Sequence, residues 1–156
     1  MRMFRRGYRL LAAASIVLLL EAAAHTVGTL SPLPDEPAIQ ELARMMRETT
    51  SPLGLGMEPS AWDVQRGLAR TMTVLLALMG IMGLALPAAA PDDRRVYRRT
   101  AGLLCVANLA LLALWWSLRI PPPLLFQLVA APLLVLAWWK GGPRGATRGK
   151  FFDLSA

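Results

Sequence analysis

Two groups capable of proton chemistry, Glu21 and His25, stand four residues apart inside a predominantly apolar run. At that spacing a helix places the carboxyl and the imidazole on one face. Such a pair can exchange protons with a bound ion or ligand, or act as the acid and base of a reaction. In lipid, an acidic side chain costs on the order of 2.5 kcal/mol or more unless it is paired, hydrated or protonated. Three further polar residues, Arg70, Asn108 and Gln127, each interrupt a different apolar run. Counting about 1.5 Å per residue from the run ends puts Glu21 roughly 13 Å and His25 roughly 7 Å below one boundary of the apolar layer. The same count gives about 5 Å for Arg70, roughly 12 Å for Asn108 and roughly 6–9 Å for Gln127. All five fall in the same half of the layer, which the flanking cations make the outer half. They predict a polar pocket built from Glu21, His25, Arg70, Asn108 and Gln127, with Thr26, Thr71 and Thr73 at its margin, able to take a ligand, an ion or a proton. A structural role competes with this. Asn and Gln act as interhelical hydrogen-bond glue worth about 0.6–2 kcal/mol, Arg70 can snorkel outward, and a Glu21–Arg70 pair could be a packing device.

Four apolar runs, at about 8–30, 67–86, 100–116 and 124–139, must position these residues. Each approaches the roughly 20 residues a helix needs to cross a hydrocarbon core of about 30 Å. In lipid the backbone must satisfy itself, so the runs are expected to be helices. Of the seventeen Lys and Arg residues, twelve flank the runs on alternate sides. Arg2, Arg5, Arg6 and Arg9 precede the first; Arg94, Arg95, Arg98 and Arg99 separate the second and third; Lys140, Arg144, Arg148 and Lys150 follow the fourth. This is the positive-inside pattern of a four-span protein with both termini in the cytoplasm. Tyr8, Tyr97, Trp138 and Trp139 then form an inner aromatic belt, and Trp62, Trp115 and Trp116 an outer one. The start also resembles a secretory signal peptide, with cleavage after Ala24 as the alternative to a retained helix; the apolar run continues to Leu30 and favours retention.

The segment 31–65 holds six of the ten acidic residues and is expected outside. Ser31-Pro32-Leu33-Pro34 ends the first helix. Asp35 is placed to cap a short amphipathic helix with Pro37 in its first turn. Ile39, Leu42, Ala43 and Met46 share its apolar face, leaving Gln40, Glu41, Arg44 and Arg47 on the others. That helix could lie on the interface or act as a lid over a site opening outward. A basic loop at 87–99 and a stiff Pro121-Pro122-Pro123 turn are expected between the later spans, and a basic tail follows at 140–156. The whole reads as one membrane domain, an all-α four-helix bundle.

The composition, 55% hydrophobic with a net charge of +7, does not indicate nucleic acid, because the cations flank apolar spans instead of striping a soluble face. They are better suited to set topology and attract anionic lipid. Cys105 is the only cysteine and sits among apolar neighbours, an inert small hydrophobe. A single His with no second ligand nearby falls short of a zinc site. Met72, Met79 and Met82 read as core residues before haem ligands, so no metal or cofactor is expected. Gly80, Gly83, Ala107, Ala110 and Ala113 are small residues suited to close helix packing. No nucleophile–base motif or phosphate loop occurs.

The stretch Glu21-Ala22-Ala23-Ala24-His25-Thr26-Val27-Gly28-Thr29, the helix with Met45 and Met46, and Ser60-Ala61-Trp62-Asp63 resemble small bacterial four-span membrane proteins of uncharacterised function. The resemblance covers about the first half of the chain and implies an integral membrane protein, with no reaction attached; the location expected for the whole chain is a bacterial inner membrane. A remoter similarity is to small multidrug-resistance exporters, dimers of four-span chains with a membrane-embedded glutamate in the first helix that exchanges protons for cationic drugs. Glu21 would take that role, although the segment after the first span is much longer here. The expectation is a non-enzymatic partner subunit or a small-molecule or lipid binding module. Its partners would be membrane lipids and a second copy or another membrane protein. The alternatives are a proton-coupled transporter using Glu21 and a membrane enzyme using Glu21 and His25.

Overall fold

The computed structural model describes residues 2–50, 52, 56–89, 93–119 and 121–140. It is helical throughout: α1 (Arg2–Leu30), α2 (Pro37–Glu48), α3 (Ala61–Ala89), α4 (Arg94–Leu118) and α5 (Pro121–Lys140). Among the described residues there is no strand, only an isolated antiparallel pairing of Thr50 with Ser60. Four of the helices are long and apolar enough to cross a membrane. The basic tail beyond Lys140 lies outside the described residues.

Helix ends explain where the elements are longer than the apolar runs. Ser60 and Asp63 form a reciprocal cap: the Asp63 amide donates to Ser60 Oγ at 3.1 Å, and Ser60 Oγ donates to Asp63 Oδ2 at 2.6 Å. This starts α3 at Ala61, ahead of the apolar run. Asp93 Oδ1 accepts from the amides of Arg95 and Val96 at 2.7 and 3.2 Å, so α4 begins at Arg94 and the expected loop to Arg99 is helix. Pro87 lies within the last turn of α3 and does not terminate it. Pro121, Pro122 and Pro123 form the first turn of α5, where their missing N–H groups are no loss. The preceding reversal falls to Arg119, which holds the left-handed conformation at φ 54°. Asp35 does not cap α2. The capping position is Glu36, without a side-chain bond, and Gln40 Nε2 instead donates to Pro34 O at 2.9 Å.

Helix α1 packs against α3 and α5, α4 packs against α5 and less extensively against α3, and α2 rests on α3. Towards the first turns of α1, Leu11 and Ala14 meet Tyr97, Ala101, Leu104 and Cys105 of α4 and Leu134 and Ala137 of α5. Farther along, Leu18 and Ala22 pack with Leu76 and Ala130, with Met72 and Met79 at the edge. Met82 is exposed, so it is not core. Tyr97 is fully buried, its hydroxyl donating to Ala137 O at 2.9 Å, and does not join an aromatic belt. Trp115 is likewise buried, leaving Trp116 outward. Close packing of α1 on α3 runs through Gly80 and Gly83, whereas Ala110 and Ala113 are exposed and contribute no such seam. In α2 the face towards α3 comprises Ile39, Ala43 and Met46, and Leu42 is turned outward at 54% exposure.

Candidate functional site

Three of the five buried polar side chains among the described residues gather where α1, α4 and α5 meet, near the end of the molecule that carries α2. Glu21, Asn108 and Gln127 are all buried. They form a continuous chain across three helices: Asn108 Nδ2 donates to Gln127 Oε1, and Gln127 Nε2 donates to Glu21 Oε2 at 2.7 Å. A primary amide has both a donor and an acceptor end, so Gln127 can link a donor on α4 to an acceptor on α1. The same helix faces carry buried apolar residues, Leu18 on α1, Leu104 and Cys105 on α4, and Ala130, Ala131 and Leu134 on α5, so packing those faces together brings the polar side chains inward.

The chain leaves two acceptors unused. Glu21 Oε1 and Asn108 Oδ1 are buried and have no hydrogen-bond partner. Among the described residues no cation forms an ion pair with Glu21. An unpaired buried acceptor costs about 1–3 kcal/mol, more for a charged group. Glu21 also lines a cleft of about 230 Å³ between α1 and the first turns of α5, together with Ala24, His25, Gly28, Thr29, Pro123 and Phe126. The cleft is largely apolar, with Glu21 and His25 as its ionisable lining residues and Glu21 itself almost wholly buried.

His25 does not contact the Glu21 carboxyl through a hydrogen bond. Its Nδ1 pairs with Thr73 Oγ1 on α3 at 2.8 Å, and that hydroxyl also reaches Ala69 O at 3.3 Å. A hydroxyl has one proton to give. When Thr73 donates it to Ala69, Nδ1 is the donating nitrogen of His25 and Nε2 carries the lone pair. Thr26 and Thr71 spend their hydroxyls on their own helices, at Ala22 O and Gly67 O.

Of the five residues expected to converge, three form one hydrogen-bonded chain and His25 borders the same cleft. Arg70 stands apart. It is exposed and lines a different cavity, between the end of α1 and the start of α3, with Arg47, Trp62 and Arg66. The sequence reading did not single out that grouping, although Trp62, Arg66 and Arg70 recur every fourth residue and so share one face of a helix. No cluster of three His, Cys, Asp or Glu side chains able to hold a metal ion occurs among the described residues. The chain matches no family model, and comparison with curated proteins and with solved structures returns no significant match.

Proposed function

We propose that this chain is a bacterial inner-membrane protein, a four-helix bundle with both termini in the cytoplasm, that binds a small molecule or a lipid through the cleft between α1 and α5. It acts as a non-enzymatic binding module or partner subunit, and Glu21 is the residue that meets the ligand. One observation carries this reading: Glu21 Oε1 is buried without a protein partner, and its residue lines a cleft with room for part of a ligand. The other carboxyl oxygen is held by Gln127, so the free one is fixed in place. A ligand that donates a hydrogen bond or carries a positive charge would satisfy it, and Phe126, Pro123 and Ala24 would cover its apolar part.

Native mass spectrometry of the protein extracted gently from its own membrane tests this beside Glu21→Gln and His25→Ala. The expected result is a small molecule or lipid on the wild type that Glu21→Gln loses. A wild type that carries no small ligand, or a Glu21→Gln variant that retains the same one, overturns the reading.

The same unpartnered oxygen favours a second reading, proton-coupled transport with Glu21 as the proton carrier. That reading requires Glu21→Gln to abolish substrate-driven proton flux in proteoliposomes, whereas a binding module shows no such flux in the wild type.

A further inference from the structure

The three arginines around Trp62 form a second constellation, separate from Glu21. Arg66 and Arg70 lie one turn apart on α3, Arg47 comes from α2, and all three line a cavity of about 370 Å³ closed on its far side by residues 28–33. The Arg47 guanidinium sits 4.9 Å and that of Arg66 6.0 Å from the Trp62 ring centre. Both lie within the range of cation–π attraction, so Trp62 holds two of the three cations at the cavity.

These cations are unpaired for want of placement, not of acid. The segments at the α2 end carry six acidic residues against five arginines. Arg44, also on α2, takes Glu41 at 2.6 Å and Glu48 at 2.9 Å. Asp63 is engaged by Ser60 at 2.6 Å and feels the charge of Arg66 without forming an ion pair with it. Among the described residues none of Arg47, Arg66 and Arg70 forms an ion pair. Like charges one helical turn apart repel, and a third cation facing the same space adds to that cost. An anion in the cavity would reverse its sign.

The location narrows the anion. The cavity lies where apolar helix surface gives way to polar chain, beside Leu30, which is 69% exposed. In a bilayer this is the level of the interfacial tryptophans and the headgroup phosphates. Guanidinium groups bind phosphate oxygens in forked pairs and are weakly hydrated, so they suit this depth better than lysine. We propose that Arg47, Arg66 and Arg70, ordered around Trp62, form a site for a phosphate group, carried either by an anionic lipid headgroup or by a soluble phosphate.

The test uses the full chain in nanodiscs of phosphatidylcholine doped with a photoactivatable phosphatidylglycerol, with cross-links mapped by mass spectrometry. Labelling is expected within residues 28–33 and 62–70, and is expected to fall about tenfold in R47Q/R66Q/R70Q. Labelling near Leu103 and Trp138, where Arg95, Arg98 and Arg99 line another surface, should persist in that variant and reports that it is folded. If the triple variant does not fold, the single changes R47Q, R66Q and R70Q replace it, and each should reduce labelling. Suppression of labelling by inorganic phosphate assigns the site to soluble phosphate; persistence assigns it to lipid. Equal labelling by a photoactivatable phosphatidylcholine, or labelling unchanged by every arginine variant, overturns the proposal. Glu21→Gln should leave this labelling intact, so the two sites succeed or fail separately.

Discussion

Gln127 is the residue on which the polar chain depends, because it satisfies groups on two other helices at once. Gln127→Leu would keep the volume and strip partners from both Glu21 Oε2 and Asn108 Nδ2. The expected loss is about 1–3 kcal/mol, the cost of leaving buried polar groups unmet. The triple change E21L/N108L/Q127L removes every member together and is expected to be as stable as the wild type or more so. Reversible unfolding in mixed micelles measures both; a Gln127→Leu variant as stable as the wild type would show that the chain contributes no stability. Stability retained by the triple variant with loss of ligand would separate the binding role of Glu21 from any role as glue. The sequence made the height of these residues legible, since counting rises along an apolar run places Glu21, Asn108 and Gln127 in one layer. It did not make rotation about each axis legible. Arg70 has a suitable depth yet lines another cavity, because it shares the face of α3 that carries Trp62 and Arg66.

At the level of elements, the seam between α1 and α3 is set by glycine. A Cβ at Gly80 would come within 2.6 Å of Leu19 Cγ and 2.9 Å of the Ser15 carbonyl oxygen, and one at Gly83 would run into Ser15 Oγ. Ser15 cannot swing away freely, since its hydroxyl is buried and donates to Leu11 O at 2.8 Å. Gly80→Ala must therefore push backbone against backbone and is expected to cost about 1–3 kcal/mol. Gly67, with nothing within 4 Å of its Cβ position, is the control. Gly67→Ala should be neutral or gain up to about 1 kcal/mol from helix propensity. Thermal unfolding of the two variants side by side checks the contrast, and equal effects would mean that close approach is not what Gly80 provides. That small residues would mediate packing was legible, but which of them was not: Gly80 and Gly83 are used, and Ala110 and Ala113 are outward. The helix starts were more legible than hydropathy alone suggested. Ser60 and Asp63 three residues apart, and Asp93 before Arg94, are capping signals that override the edges of the apolar runs.

Across the whole molecule, charge divides by end. The segments flanking the start of α1, the α3–α4 junction and the end of α5 hold twelve Lys and Arg against three acidic residues, while the α2 end holds five against six. Helices α1, α3, α4 and α5 run alternately, so the start of α1, the α3–α4 junction and the end of α5 share one side of the apolar layer. The positive-inside rule counts Lys and Arg near the span ends and gives little weight to acidic residues, so the bias is twelve cations against five at the opposite end. The orientation expected from this bias has both termini in the cytoplasm and α2 outside. Cysteines in place of Glu36 and Met57 are therefore expected to react with an impermeant maleimide on intact cells. One in place of Arg94 should react only after permeabilisation, with Cys105 changed to Ala as background. The reverse labelling would put α2 and its arginine cavity in the cytoplasm, facing the inner leaflet and soluble phosphates. Equal labelling of both ends would indicate a mixed topology, and with it a charge difference too weak to set direction. The outcome fixes which compartment supplies the ligand to each site, because the Glu21 cleft and the arginine cavity both lie towards the α2 end.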